Sequence, residues 1–101
     1  MVPLNMGLNS KHQKTLQQIF QEPVKSDVLW KDVEKLILAL GGQQFEGRGS
    51  RVRFRLEERL AVFHRPHPKP HTDKGALKSV RKFLINALGE KRLKIILEKK
   101  K

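Results

Sequence analysis

The stretch "GRGSRVRFRL", residues 47–56, decides how the chain reads. From Arg51 onward arginine alternates with apolar residues: Arg51, Arg53 and Arg55 fall on one side, Val52, Phe54 and Leu56 on the other. Successive side chains of a strand point to opposite faces. The alternation therefore predicts a strand with one buried face and one face in water. Gly47 and Gly49, on either side of Arg48, supply a turn before it. A phosphate-cradling glycine loop would need the Walker or dinucleotide spacing, and neither is present.

The neighbouring segments extend this strand into a sheet. Leu60 to His64 reads as the next strand, joined through Glu57-Glu58. That tip lacks the Asn-Gly or Asp-Gly pair of the tightest hairpins, which leaves a longer turn open as an alternative. Gln43 to Glu46 is a short strand on the other side. Upstream, "SDVLWKDVEKLILALGG" has apolar residues at 30, 33, 36, 37 and 40, one helix face, and stops at Gly41-Gly42. Further back, Ser10 is predicted to cap a short helix through Gln21 carrying Leu16, Ile19 and Phe20, with Pro23 closing it and residues 1–8 frayed.

Downstream, "RPHPKPHTDKG" holds Pro66, Pro68 and Pro70 and reads as an extended connector. Thr72 or Asp73 can cap a helix to about Leu88, with Leu77, Val80, Leu84, Ala87 and Leu88 as its buried stripe. Gly89 ends that helix. "KRLKIILEKK" is compatible with a helix or a strand, within a basic tail over 89–101.

The order helix, helix, three antiparallel strands, helix defines an α+β fold. Its economical packing lays the two longer helices on one face of a three-stranded antiparallel sheet and leaves Arg51, Arg53 and Arg55 on the open face. This α-β-β-β-α core, with an extra N-terminal helix, is the layout of double-stranded-RNA-binding domains. One domain over 1–101 is expected, with its core at about 28–88, an N-terminal extension over 1–27 and the basic tail.

Twenty-two Lys and Arg against ten acids give a formal charge of +12 in 101 residues. That field attracts RNA, DNA, an acidic protein or an anionic membrane surface. Some of it belongs to the terminal "EKKK", which reads as a solvated end. The absence of cysteine excludes disulfides, thiolate metal sites and a cysteine nucleophile. No apolar run approaches the roughly 20 residues of a membrane span. The start "MVPLNMGLNS" lacks the charged-then-apolar order of a secretory signal, so the cytoplasm is expected. No helix pairs a basic face with a bulky aromatic apolar one, which disfavours a membrane-surface role.

An arginine-bearing strand can be an ordinary solvated face. The next helix favours more: Lys74, Lys78 and Lys82 recur every fourth residue with Arg81 beside them. Like charges at this spacing repel, so helix stability does not explain them. A polyanion partner would. Lys74, Gly75 and Ala76 also stand at a helix N-terminus, where free N–H groups attract phosphate. Arg51, Arg53, Arg55, Lys74, Lys78, Arg81 and Lys82 are thus the expected RNA-contacting residues.

His64, His67 and His71 form H-x-x-H-x-x-x-H. The prolines between them hold the segment extended, so the rings diverge, and no metal or other cofactor is expected. Cleaving RNA without a metal needs a group that exchanges protons near neutral pH and cations for the phosphorane-like transition state. A histidine near arginines supplies both, whereas His12 reads as plain surface.

"GRGSRVRF", "AVFHRPHP" and "DKGALKSVRKFL" together resemble the HicA toxins of bacterial toxin–antitoxin modules, over roughly residues 28–88. The resemblance implies a double-stranded-RNA-binding-like fold and a metal-independent endoribonuclease that cuts mRNA to arrest translation and growth. It also implies a hetero-oligomer with a HicB-like antitoxin that neutralises the toxin. The family's Gly-Ser-His-x-x-Phe strand matches at Gly49 and Ser50, but Arg51 stands at the catalytic-histidine position. Arginine stays protonated and cannot act as a base near neutral pH. His67 matches the histidine of the family's turn motif, and Lys74-Gly75 match its helix start. Proton transfer is therefore expected from His67 or His64, with Arg51 binding phosphate or stabilising charge. The alternative is a non-catalytic RNA- or DNA-binding module.

Overall fold

The computed structural model describes residues 8–98. In chain order the elements are α1 (Ser10–Ile19), β1 (Val28–Leu29), α2 (Trp30–Ala39), β2 (Gln43–Glu46), β3 (Arg51–Leu56), β4 (Arg59–His64), β5 (His71–Thr72), α3 (Lys74–Leu88) and α4 (Glu90–Glu98). The architecture is α+β, with β2, β3 and β4 in one antiparallel sheet and β3 at its centre. This is the double-stranded-RNA-binding-like α-β-β-β-α core plus an N-terminal helix.

Asn9, rather than Ser10, caps α1: its side-chain oxygen accepts from the His12 N–H at 2.8 Å, and His12 Nδ1 accepts from the Asn9 N–H at 3.4 Å. This is a capping box with histidine in the usual glutamate place. The helix stops at Ile19, two residues before the expected Gln21. Leu16 and Ile19 are fully buried, and Leu8, expected to be frayed, packs on the core. Residues 1–7 and the terminal lysines at 99–101 lie outside the described residues.

α2 buries Trp30, Val33, Leu36 and Ile37, the face its periodicity predicts. The chain then reverses through Gly41, whose φ of 101° belongs to the left-handed region. A Cβ at Gly42 would lie 2.7 Å from Ile37 Cγ2 and 2.8 Å from the Ile37 carbonyl oxygen. Only glycine lets β2 leave the helix this closely.

Across β3 the alternation holds at every position: Val52, Phe54 and Leu56 are buried, and Arg51, Arg53 and Arg55 are exposed. The β3–β4 turn is the tight one of the two alternatives. Leu56 pairs with Arg59, so only Glu57 and Glu58 form the tip, and Glu57 takes a φ of 56° without being glycine or asparagine. The core behind β3 is aromatic. Trp30, Phe54, Phe63 and Phe83 form a chain of ring contacts at centroid distances of 5.7–6.5 Å. Phe83 joins Leu77, Val80 and Leu84 in the buried stripe of α3, whereas Ala87 and Leu88 lie at its margin.

The proline connector is not wholly free of pairing. His71 and Thr72 pair antiparallel with Leu29 and Val28, and the Trp30 N–H donates to the Pro70 carbonyl at 2.9 Å. The connector's end is thus stitched to the start of α2.

The segment expected as a basic tail folds over Glu90–Glu98 into α4. Leu93 and Ile96 are buried, and Gln13 Nε2 donates to the Ile96 carbonyl at 2.7 Å, joining α4 to α1. Lysine and arginine hid an apolar stripe of period three to four. If α4 belongs to the core, Leu93→Ala should lower stability by about 2–5 kcal/mol in urea unfolding, the range for a buried leucine. A solvated tail would show almost no change.

Candidate functional site

Residues directly opposed across antiparallel strands share a face. Arg55 opposes Gln43 and Leu60, Arg53 opposes Phe45 and Val62, and Arg51 opposes His64. The open face therefore carries Gln43, Phe45, Arg51, Arg53, Arg55, Leu60, Val62 and His64, all exposed. No acid stands among them. Arg51, Arg53 and Arg55 make no ion pair among the described residues. The guanidinium of Arg53 lies over the Phe45 ring, 5.9 Å from its centroid.

His64 and Arg51 are close for a geometric reason. The Arg65 N–H donates to the Ser50 carbonyl at 2.8 Å, one step beyond the Arg51–His64 pair. That bond makes Arg51 and His64 a non-hydrogen-bonded pair, the narrow kind, whose Cβ atoms stand about 4.5–5.5 Å apart. A histidine and an unneutralised arginine thus share one corner of the sheet.

Arg65, on which sequence reasoning placed no role, fixes that corner. Its Nε donates to Glu34 Oε2 at 2.8 Å, while Nη1 and Nη2 donate to Glu46 Oε1 and Oε2 at 2.7 and 2.9 Å. Glu34 Oε2 also accepts from the Trp30 indole at 2.5 Å. The guanidinium so joins the end of β4 to α2 and to the edge strand β2. Arg65 holds the Glu46 carboxyl below its ordinary value of 4.5 through this hydrogen bonding. The two carboxylates in turn raise the guanidinium further above its ordinary range.

The other expected residues are distributed differently. His67 is exposed on the connector, and His71 is exposed in β5, on the smaller sheet. Among the described residues no three His, Cys, Asp or Glu side chains gather closely enough to hold a metal ion. Lys74, Lys78 and Lys82 are exposed on α3. That helix covers the buried face of the sheet, so its lysines and the arginine strand belong to different layers. Lys82 lies beside the β4 edge, near Arg59, Leu60 and Asn86. The N-terminus of α3 already holds an anion, because Asp73 Oδ1 accepts from the Ala76 N–H at 2.7 Å. A phosphate there would meet that carboxylate.

Arg81 is engaged elsewhere. Its guanidinium donates to the Ile19 carbonyl from Nε and Nη2 at 3.1 and 3.0 Å, to the Gln21 carbonyl at 3.1 Å and to Glu22 Oε2 at 2.5 Å. It also lies 5.6 Å from the Phe20 ring centroid. Carbonyls at a helix C-terminus lack partners of their own and attract cations. Arg81 thus closes α1 from α3, with only 20% of its side chain exposed.

A family model described as the HicA toxin of bacterial toxin–antitoxin matches residues 30–89, from the first residue of α2 to the one after α3. The match defines a toxin of the toxin–antitoxin class. The chain belongs to the HicA toxin family. Neither the curated proteins nor the solved structures compared with it contain a match. No helix among the described residues is long and apolar enough to cross a membrane.

Two outcomes follow from this geometry. Arg81→Ala should lower stability by about 1–3 kcal/mol in urea unfolding, as expected for lost hydrogen bonds from a charged group. Unchanged stability would show that Arg81 does not hold the end of α1 in solution. The clamp predicts an acid-side effect. Because the Glu46 pKa is depressed on folding, the unfolded chain binds more protons as pH falls through the carboxylate range. Stability contributed by Glu46 is present above pH 4.5 and is lost below it. Glu46→Gln should flatten the acid limb of stability against pH, and an unchanged limb would show that the clamp does not operate in solution.

Proposed function

We propose that the protein is a ribonuclease toxin that binds and cleaves mRNA without a metal, arresting translation and growth until a HicB-like antitoxin covers it. Family membership supports the toxin role. The observation that carries the nuclease reading is the pairing of His64 with Arg51 on an acid-free cationic face. Histidine is the side chain that changes charge near neutral pH. It can take the proton of a ribose 2′-hydroxyl as that oxygen attacks the adjacent phosphorus. Arg51, always protonated, stabilises the negative charge that builds on the phosphoryl oxygens. The P–O5′ bond then breaks. The leaving oxygen takes a proton, for which His67 is the nearest candidate in sequence, and the products carry a 2′,3′-cyclic phosphate and a 5′-hydroxyl.

In this reading Arg53 and Arg55 hold the flanking phosphates, while Lys74, Lys78 and Lys82 attract RNA from the second layer. An acidic antitoxin would associate quickly, at a rate that falls with added salt. Both partners would act in the cytoplasm.

Purified protein should cut RNA in EDTA and leave cyclic phosphate ends. His64→Ala should slow cleavage by about 10²–10⁴, the size of a lost proton-transfer step, and abolish growth arrest with the far-UV spectrum unchanged. Arg51→Ala should also slow cleavage while keeping the neutral limb of the pH profile. If His64→Ala and His67→Ala both stay toxic while Arg51→Ala is inert, the arginine carries the site. Wild-type protein that binds RNA but neither cuts it nor slows growth would be a binding module.

A further inference from the structure

We propose that the open sheet face takes RNA as an unpaired single strand, with the Phe45 ring and the Arg53 guanidinium forming a stacking platform for a nucleobase. The inference rests on the RNA-binding reading above and specifies the form of RNA that the face accepts. Phe45, Leu60 and Val62 are 42%, 73% and 52% exposed, and all three stand on this face. With Arg53, Arg55 and Ala61 they line a shallow groove of about 460 Å³. An apolar floor this open costs free energy in water unless something flat and apolar covers it.

Charge selects the occupant. The floor is interleaved with three arginines that no acid on the face neutralises. They recur along β3 at a two-residue strand repeat of about 6.6–6.8 Å, a step comparable to successive phosphates of an extended strand. Single-stranded nucleic acid presents this combination, a planar base with an anion at every step. Duplex RNA does not, because its bases are stacked inside the helix and turn no ring face outward. Aromatic and guanidinium planes are the surfaces on which unpaired bases stack.

The test is fluorescence anisotropy with a short, end-labelled 2′-O-methyl RNA, which lacks the attacking hydroxyl and stays intact. The same strand is also presented as a blunt duplex and as an abasic strand. Wild-type protein should prefer the unpaired, base-bearing strand. Phe45→Ala should weaken that binding on the order of tenfold, the range for one lost base stack. Its affinity for the duplex and the abasic strand, its salt slope and its far-UV spectrum should not change. Phe45→Trp should keep the affinity, and its added indole fluorescence should be quenched by RNA, since Trp30 is buried.

Several results would overturn the stacking site. One is unaltered binding by Phe45→Ala while wild-type protein binds RNA, which leaves the RNA-binding reading standing. Another is an equal loss on all three probes. A third is a wild-type dimer that Phe45→Ala converts to monomer without loss of RNA affinity, which would make the face a contact between copies. No binding of any probe by wild-type protein would remove the RNA reading itself.

Discussion

The guanidinium of Arg65 is where three parts of the molecule meet. Its donors reach α2 through Glu34 and the edge strand β2 through Glu46, while its backbone N–H holds the Ser50 carbonyl at the entry to β3. Exposed ion pairs contribute little, because water solvates both partners and two long side chains must be held still. This one differs in two ways. Arginine presents its donors in a rigid fork that matches a carboxylate at both oxygens. Glu34 is also mostly buried, and it accepts from Trp30 at the edge of the aromatic core as well as from Arg65. Removing Arg65 would leave a half-desolvated carboxylate against an indole. The clamp therefore couples core packing to the place where β4 ends and the connector begins, and it fixes His64 and Arg51 relative to each other.

The two-layer arrangement explains how a chain with charge +12 remains folded. Self-repulsion grows when like charges crowd one surface. Here the arginines of β3 and the lysines of α3 stand in different layers, with Lys82 beside the β4 edge where the layers meet. Arg65 and Arg81 are neutralised locally by carboxylates and carbonyls. On the open face, Arg51, Arg53 and Arg55 have no acid paired with them among the described residues. A surface of that kind gains little from folding, and its composition makes sense chiefly in the presence of an anion.

The parts of this fold that were legible in the sequence were those set by periodicity. Alternation over Arg51–Leu56 gave the central strand and both its faces, and the three-to-four spacing gave α2 and α3. What periodicity cannot show is register. In "QQFE" nothing says that Phe45 belongs with the arginines, and its apolar ring argues for the buried side. Only the pairing of Phe45 with Arg53 places it in water. The roles of Arg65 and Arg81 were hidden for a related reason. Their partners lie 19 to 62 residues away in the chain, and an arginine that closes a helix looks the same in sequence as one that meets phosphate. The length of the β3–β4 turn stayed open because Glu57 adopts a backbone conformation usually left to glycine, which composition does not reveal. α4 was left open between helix and strand because its charged positions outnumber its apolar ones; Leu93 and Ile96 are the side chains it buries.

The resemblance puts Arg51 where the family carries a histidine, and the sheet geometry suggests how that exchange can leave a working site. A residue opposite another in a narrow antiparallel pair sits on the same face, with Cβ atoms about 4.5–5.5 Å apart. That separation is shorter than the reach of either side chain. A proton-transfer group can therefore pass from one strand to its neighbour and still serve the same reacting atoms, provided the register is fixed. Here the Arg65–Ser50 backbone bond fixes the register at the Arg51–His64 pair, and the Arg65 side chain ties the end of β4 to Glu46 of β2. In the proposed mechanism His64 supplies the proton acceptor from β4, and Arg51 places a permanent positive charge where a neutral imidazole would otherwise stand. The pair then divides between two strands the two tasks, proton transfer and charge stabilisation, that a histidine beside a separate cation would perform.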